Sequence, residues 1–409
     1  MKQKKNRGIT LIALIITIIV LLILAVVAIS AVSGNGILNH AQNAKAKYSG
    51  AQTNEQERLG EYSDYLDEES SKINGGGTIA KVLKNNLNTV LSTTDNTPLT
   101  DEYGNKIMLP AGFKIVVDST TGYTTDTIDV TKGIVVEDTQ AETAGNQFVW
   151  IPVGKIYTDI EKTEANAKTI TLGRYENFTK NEDGTYTVAQ NASDYEKQVK
   201  INSYYTEDTA ASHISNYKNS IAKNIGDFCT KANSHGGYYI GRYEARAGTT
   251  ERNSETDTLT PVTLKANDYV YNYVTQLQAS ERCQSMYNNK PYESDLVNSY
   301  AWDTAIVFIQ EFENSTYSQA EGLASDNNLS NTGLSILKAT GKVDKQCNIY
   351  DMTGNCGELS TETYNGDTFR GSCTSRGGFA DSNDWVSSRG GSNTTFAYED
   401  YSFRPILYM

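Results

Sequence analysis

Histidine, tryptophan and proline are scarce in this sequence. Its 409 residues include only 3 His, 3 Trp and 6 Pro. The histidines, His40, His213 and His235, are scattered, and none has a cysteine or histidine at zinc-ligand spacing. The chain also lacks a Gly-x-Ser-x-Gly elbow, a P-loop and a dinucleotide fingerprint. These absences argue against the common zinc-dependent, nucleotide-dependent and serine-dependent catalytic sites, and we assign no catalytic residue.

Basic residues are outnumbered by acidic ones. The chain carries 36 Lys and Arg against 49 Asp and Glu, a net charge of -13. A nucleic-acid-binding protein concentrates positive charge where phosphates lie, so this balance predicts no nucleic-acid partner. The one basic cluster, Lys2, Lys4, Lys5 and Arg7, directly precedes a long apolar run. We interpret it as a signal of membrane topology.

The apolar run over residues 9–33 contains no charged side chain. As a helix rising about 1.5 Å per residue it is about 36 Å long, and the hydrocarbon core of a bilayer is about 30 Å thick. We therefore predict a transmembrane helix after a cytoplasmic basic leader over residues 1–8, with the rest of the chain extracellular. The predicted localisation is the cell membrane, crossed once by this helix.

Residues Lys5 to Leu14 resemble the leader of type IV pilins and pseudopilins. In that family a prepilin peptidase cuts after the glycine that matches Gly8, and the residue that matches Ile9 becomes the mature N-terminus. The resemblance implies pilin-like subunits as partners and a surface filament as an alternative location. Ala13 stands where the family usually carries a glutamate, so a plain anchor and a filament subunit both remain open.

Composition divides the rest of the chain into three parts. Residues 34–75 are polar, with apolar residues at helical spacing, which predicts a helical stalk. Residues 76–145 contain short alternating runs broken by turn residues, which predicts a small β-rich linker segment. Residues 146–409 are predicted to form one large domain of a few helices, short strands and long loops. Within it we predict a strand over Phe148 to Val153 and helices over Tyr273 to Tyr287 and Trp302 to Phe312.

The large domain contains a series of short motifs in a fixed order. They are Phe148 to Val153, Gly237 to Glu244, Ala301 to Ala305, Asn348 to Asn355, Arg376-Gly377-Gly378 and Phe403-Arg404-Pro405. This series resembles the formylglycine-generating-enzyme, or sulfatase-modifying-factor, domain, a variant of the C-type lectin fold. The predicted fold class is therefore α+β: a C-type-lectin-like domain preceded by a long N-terminal transmembrane and stalk helix.

The enzymes of that family depend on two cysteines, five residues apart, that follow the segment matching Arg376-Gly377-Gly378 and bind copper(I). Here the stretch from Phe379 to Ser388 contains no cysteine. We therefore predict no copper and no enzymatic activity. A formylglycine-generating-type oxidase is kept only as a second alternative.

The same resemblance implies a calcium site in the segment from Asp351 to Glu358. Carboxylate and carbonyl oxygens are the ligands that calcium prefers. The alternative is that Glu358 pairs with a buried arginine such as Arg376 or Arg404. The implied calcium ligands are Asp351, Gly354, Cys356 and Glu358.

Two of the five cysteines flank a predicted hairpin that contains residues Glu362 to Phe369. Opposed strands could bring the Cα atoms of Cys356 and Cys373 within the roughly 4.4 to 6.8 Å that a disulfide allows. An exported domain favours a bridge over two free thiols. We predict a Cys356–Cys373 disulfide and leave the pairing of Cys229, Cys283 and Cys347 open.

The loop between Phe379 and Tyr401 is rich in Ser, Asn, Asp, Thr, Gly and Tyr, with one Trp. This composition combines adaptable hydrogen bonding with an aromatic anchor, as antibody paratopes do. The resemblance places such final loops on a rigid scaffold, and the variable proteins of diversity-generating retroelements diversify the same region of this fold. The predicted ligand-binding residues are Asp381, Ser382, Asn383, Asp384, Trp385, Ser387, Asn393, Thr395, Tyr398 and Asp400.

These observations predict a non-catalytic, surface-displayed protein of adhesin or receptor type. The resemblance to variable proteins implies that its final loop is diversified. Its expected partner is an extracellular glycan or protein. A pilin-like structural subunit of a surface filament is the alternative. A third interpretation is that the final loop is merely solvated.

Overall fold

The computed structural model describes residues 16–24, 80–180, 186–192, 205–207, 225–320, 344–364, 373–379, 384–392 and 395–409. Residues Met1–Ile79 and Ala80–Met409 form two separate units. In the first unit the described residues are helix α1, 16–24, and all of them are exposed. The predicted cleavage site, Gly8 and Ile9, and the predicted stalk, 34–75, lie outside the described residues.

The predicted membrane anchor requires correction. Within the described residues, no helix is both long and apolar enough to cross a membrane. The transmembrane helix over 9–33 and the long N-terminal stalk helix are therefore not supported. The predicted localisation in the cell membrane depends on that helix and is not supported either.

A six-stranded antiparallel sheet forms the centre of the second unit, with strand order β13-β21-β12-β6-β5-β4. Its alternating side chains fill two cores. Val149, Ile151 and Tyr238 lie in one core, and Phe148 and Trp150 lie in the other. The strands are β4 Phe113–Ile115, β5 Val135–Asp138, β6 Gln147–Pro152, β12 Gly237–Gly241, β13 Glu293–Leu296 and β21 Pro405–Tyr408.

Three helices belong to this unit in the described residues. They are α2 Ile225–Ser234, α3 Gln276–Ser285 and α4 Ser299–Phe312. Thr275 and Gln278 form a capping box that starts α3, and the side chain of Asn298 caps α4 by accepting a hydrogen bond from the backbone N–H of Ala301. Helices α2 and α4 pack on the sheet because their apolar faces join the same core as Val149 and Ile151.

A second, mixed sheet of four strands carries the C-terminal loops, in the order β19-β18-β16-β20. Its strands are β16 Gly357–Leu359, β18 Cys373–Arg376, β19 Arg389–Ser392 and β20 Tyr401–Phe403. β16 and β20 are parallel, and the other two pairs are antiparallel. The loop from β19 to β20 therefore crosses from one edge of this sheet to the other.

Smaller elements complete the described chain. The remaining strands are β1 Lys81–Val82, β2 Thr97–Thr100, β3 Lys106–Leu109, β7 Gly154–Ile156, β8 Lys168–Ile170, β9 Arg174–Lys180, β10 Tyr186–Ala192, β11 Tyr205–Glu207, β14 Lys345–Gln346, β15 Ile349–Tyr350 and β17 Glu362–Tyr364. Short 3-10 helices span Leu83–Asn85, Val130–Lys132, Glu164–Asn166 and Tyr317–Gln319.

Residues from the ordered motifs are structural. Trp150, Tyr239, Ile349 and Phe403 are at most 1% exposed. Gly377 has a φ of +72°, and a Cβ there would lie 2.4 Å from the carbonyl oxygen of Met352, so only glycine fits without strain.

Candidate functional site

The structure describes most of the predicted ligand-binding residues, on segments 384–392 and 395–400. Of those described, Asp384, Trp385, Thr395 and Tyr398 are exposed, whereas Ser387 and Asp400 are half-buried. Asp381, Ser382, Asn383 and Asn393 lie outside the described residues.

Trp385 stands on a turn that is fixed to the core. The turn closes through two bonds with Ser388: its N–H donates to the Trp385 carbonyl at 2.8 Å, and its hydroxyl accepts from the Trp385 N–H at 3.1 Å. The adjacent Val386 is fully buried, and its N–H donates to the carbonyl of Ala320 at 3.0 Å. The indole N–H of Trp302 on α4 donates to the Val386 carbonyl at 2.9 Å. The exposed indole of Trp385 is thus held on a rigid base.

Ser387 is engaged within the protein. Its hydroxyl donates to the carbonyl of Ser318 at 2.6 Å, and its N–H donates to the same oxygen at 3.3 Å. Its side chain therefore helps to fasten the turn.

Four aromatic rings of the C-terminal segments form a continuous row. The ring centroids of Phe396 and Tyr398 are 5.2 Å apart, those of Tyr398 and Tyr401 are 5.9 Å apart, and those of Tyr401 and Phe379 are 5.2 Å apart. Phe396 is 45% exposed and Tyr398 is 44% exposed. Contiguous exposed apolar area on a folded protein often marks a contact surface.

Two rings of the row, Tyr398 and Tyr401, line an open cleft of about 490 Å³. Two loops meet there. The N–H of Tyr273 donates to the carbonyl of Tyr398 at 3.0 Å, and the Tyr273 hydroxyl donates to the Glu399 carboxylate at 3.1 Å. The side-chain amide of Asn272 donates to the Glu399 carbonyl at 3.1 Å. The residues that line the cleft are Tyr273, Tyr398, Glu399, Asp400 and Tyr401.

Arg252 holds the loop that carries Tyr273. Tyr273 has a φ of +52°, an unfavourable conformation for a bulky residue. The buried Arg252 guanidinium donates to the carbonyls of Asn272 at 2.9 Å and Tyr273 at 3.0 Å. It also donates to the carbonyls of Asp257 at 3.2 Å and Thr258 at 3.0 Å. These bonds fix one wall of the cleft before any ligand arrives.

Acidic groups set the electrostatics of the cleft. Two of its lining residues are acidic and none is basic. The pKa of the Tyr273 hydroxyl is raised by burial first, and further by its hydrogen bond to Glu399 and by the charge of that carboxylate. Burial also raises the pKa of Tyr401, and the charge of Asp400 adds to the effect. Both tyrosines therefore keep their protons at neutral pH.

A buried ionic network lies beneath the loops. Arg389 at the start of β19 and Arg376 at the end of β18 both contact Asp303 of α4. Both also contact Glu362, Arg389 through its Nε at 3.0 Å and Arg376 through its Nη1 at 3.6 Å, and Arg174 binds the same carboxylate. The network ties the strands that lead into and out of the Trp385 turn to α4.

The pKa of Glu362 reports the strength of this network. Burial alone would raise it, but the charges of Arg174, Arg389 and Arg376 and the hydroxyl of Ser299 outweigh burial. The resulting pKa is about 2. Glu362 is therefore a carboxylate that the fold stabilises in its ionised form.

The two carboxylates implied as calcium ligands contact arginines in this structure. Both carboxylate oxygens of Glu358 accept from Nε of Arg404, at 3.0 and 2.9 Å, and the Asp351 carboxylate accepts from Arg246 at 3.4 Å. Arg404 also donates to the carbonyl of Tyr350, at 2.8 Å. Within the described residues, no group of three or more His, Cys, Asp or Glu side chains is arranged to hold a metal. The alternative pairing of Glu358 with a buried arginine is what the structure contains.

The predicted Cys356–Cys373 disulfide is absent, because both residues are buried free thiols, as are Cys229, Cys283 and Cys347. Antiparallel β16 and β18 pair Glu358 with Arg376. This register sets Cys356 and Cys373 five residues apart along the ladder, about 17 Å at 3.4 Å per residue. A bridge requires Cα atoms within about 7 Å.

No protein-family model matches this chain, and no curated protein matches it. One solved structure that it resembles is Treponema denticola variable protein 1, with a TM-score of 0.30 at 12% identity. The match covers 65% of this chain and 96% of that one. A TM-score this low carries no argument about fold or function. The comparisons thus do not support the predicted membership in the formylglycine-generating-enzyme, C-type-lectin or type IV pilin families, and those assignments are corrected.

Several residues of the site were missed by the sequence reasoning. Glu399 and Tyr401 adjoin predicted residues in the chain, so the loop was identified without them. Tyr273 was assigned to a helix from Tyr273 to Tyr287, although α3 begins only at Gln276. A usable signal was present, because Tyr269, Tyr271 and Tyr273 alternate with period two, which is typical of an extended segment.

Proposed function

We propose that this protein is a non-catalytic ligand-binding protein. Its recognition surface would consist of Trp385 and Phe396 together with the residues that line the cleft, Tyr273, Tyr398, Glu399, Asp400 and Tyr401. The observation that carries the proposal is the exposure of three large aromatic side chains on the C-terminal segments, two of which, Phe396 and Tyr398, are in ring contact. Among the described residues of 80–409, the exposed large hydrophobic side chains are Val82, Ile160, Trp385, Phe396 and Tyr398. Three of these five lie on the recognition surface.

The scaffold beneath this surface supports the proposal. Trp385 stands on a turn bonded to α4, and the ring of Tyr273 is held by a loop that Arg252 clamps. Binding therefore would not have to order these aromatic groups, which lowers the entropic cost of association. Rigid Tyr and Trp side chains on ordered loops are the usual anchors of binding interfaces.

A protein partner fits the surface better than a glycan. The ring of Phe396 meets that of Tyr398 at 68°, and the ring of Phe379 meets that of Tyr401 at 84°. Tyr398 and Tyr401 meet at 36°, so neighbouring rings in the row are all tilted against one another and do not form one coplanar platform on which a sugar ring could stack. A convex protein segment with apolar and polar groups would fill such a cleft.

The chemistry of the cleft supports a non-catalytic role. Its lining residues include no Cys, His, Ser or Lys that could act as a nucleophile with an adjacent base.

The proposal is tested by probing a protein and glycan array with the full-length chain, and then measuring the dissociation constant of any ligand found. Trp385→Ala and Tyr398→Ala should each weaken binding by tenfold or more, since central aromatic anchors contribute about 2 kcal/mol or more. Ile160→Ala is the matched control, because Ile160 is 72% exposed and lies outside the recognition surface.

The outcomes are separable. A ligand whose affinity falls in both aromatic variants and not in the control supports the proposal. Equal affinity in all four proteins would assign binding to another surface. If the ligand is a glycan whose affinity falls in both aromatic variants, the recognition surface is supported and the choice of a protein partner is wrong.

A further inference from the structure

We infer that the cleft lined by Tyr273, Tyr398, Glu399, Asp400 and Tyr401 binds a basic side chain, an arginine or lysine, presented by the protein partner. This inference rests on the proposed function and names the chemistry that the surface recognises. Its first support is the composition of the wall, in which three phenol rings surround two carboxylates.

Cations bind to such a wall in two ways at once. The negatively polarised face of a tyrosine ring attracts an ammonium or guanidinium within about 6 Å of its centroid. A carboxylate at the same place accepts its N–H groups, and charge-assisted bonds of this kind are stronger than neutral ones. Glu399 and Asp400 lie between Tyr398 and Tyr401 in the chain, so two acidic residues are flanked by two aromatic ones over one short stretch.

The protein already uses this chemistry for its own arginines. The guanidinium of Arg252 lies 5.2 Å from the centroid of the Tyr271 ring, two residues before Tyr273. Arg242 lies similarly over Tyr243 at 5.6 Å and over Tyr350 at 5.3 Å. In those buried sites an arginine of the protein itself supplies the cation. The cleft is open, and its lining contains no basic residue.

The electrostatic environment favours a cationic occupant. Glu399 is exposed and its carboxylate is oriented by the Tyr273 hydroxyl at 3.1 Å. The whole chain carries a net charge of -13, so the long-range field also attracts positively charged partners. An acidic peptide would be repelled both by the net negative charge of the chain and by the carboxylates of the cleft.

The test uses small probes on the full-length protein. Nα-acetyl-arginine amide is compared with Nα-acetyl-citrulline amide, which has nearly the same shape and no charge, by ligand-observed NMR titration. The arginine probe should bind about tenfold more tightly, because the citrulline probe loses both the ion pair and the cation–π contact. Glu399→Gln should weaken the arginine probe about threefold, since glutamine keeps the acceptor for Tyr273 and removes the charge.

Glu142→Gln, at an exposed carboxylate outside the cleft, is the matched control and should leave the arginine probe unaffected. The inference is overturned if citrulline binds as tightly as arginine, if neither probe binds saturably, or if Glu399→Gln has no effect. The comparison of the two probes needs no variant, so it stands even if a substitution disturbs folding.

Failure of this inference can be told apart from failure of the proposed function. If the affinity of an array ligand falls in Trp385→Ala and Tyr398→Ala but not in Glu399→Gln, the recognition surface is supported and the inferred basic side chain is wrong. If the affinity is unchanged in all three variants, the proposed function itself is wrong.

Discussion

The buried network beneath the recognition surface makes one strong prediction: Glu362→Gln should destabilise the fold severely. Glu362 is fully buried and contacts Arg174, Arg376 and Arg389. In the wild type, three guanidinium groups share the carboxylates of Glu362 and Asp303. The substitution removes the carboxylate that all three guanidinium groups contact, and within the described residues Asp303 remains as a partner for Arg376 and Arg389.

The magnitude follows from what remains buried. Removing one member of a buried ion pair typically costs about 3–5 kcal/mol, because the partner charge stays desolvated and unpaired. We expect this loss in the free energy of unfolding, measured by urea titration with circular dichroism. Glu137→Gln is the control, since Glu137 pairs with Lys114 at 3.0 Å where both side chains are partly exposed. It should cost at most about 1 kcal/mol.

The pH dependence gives a second readout of the same prediction. The pKa of Glu362 is about 2, against an ordinary value of 4.5. A lowered carboxyl pKa contributes stability that is present above pH 4.5 and is lost as the pH falls towards 2. The wild type should therefore lose stability over this window more steeply than Glu362→Gln. A loss below 1 kcal/mol at neutral pH, or parallel pH profiles, would refute the role assigned to the network.

Three further predictions concern the backbone, the thiols and the cleft. Gly377→Ala should lower the free energy of unfolding by about 2 kcal/mol or more relative to Gly248→Ala, measured by urea titration, because both have positive φ but only Gly377 has a carbonyl oxygen 2.4 Å from the new Cβ; equal losses would contradict it. Cys356 and Cys373 should resist alkylation in the native protein, since burial raises the pKa of both thiols, and a cross-linked peptide in a non-reducing digest would show that the register is wrong. Arg252→Lys should speed amide exchange in the loop that it clamps and weaken ligand binding, because a lysine cannot reach all the carbonyls that Arg252 bonds; unchanged exchange would refute the clamp.

The parts of the fold that the sequence predicted are those with a strong local signal. The strand predicted over Phe148 to Val153 is β6, Gln147–Pro152, and the helix predicted over Trp302 to Phe312 is α4, Ser299–Phe312. Both segments have an apolar pattern of the right period and bury their side chains. The alternative pairing of Glu358 with a buried arginine is present, because Arg404 bonds Glu358 and also donates to the carbonyl of Gly241.

The errors arose where the answer depends on pairing between distant segments. The Cys356–Cys373 bridge assumed a hairpin register that brings the thiols together, and the pairing of Glu358 with Arg376 separates them. Hydrophobicity alone suggested the anchor over 9–33, and no described helix meets the length that crossing a membrane requires. In each case a local pattern was compatible with several arrangements.

The candidate site also depends on contacts between distant segments, which local sequence patterns do not predict. Composition located the loop that carries Trp385 and Tyr398, because its mixture of small polar and aromatic residues is visible in the sequence. It could not show that Tyr273, 125 residues before Tyr398, bonds to that loop through its N–H and hydroxyl. The cleft exists only through that long-range contact.

Hydrogen–deuterium exchange of the full-length protein with its array-identified ligand tests the central claim most directly. The account predicts that bound ligand slows exchange in residues 384–401 and 271–274, the two segments that form the recognition surface. Slower exchange confined to other segments, with these two unchanged, would contradict it.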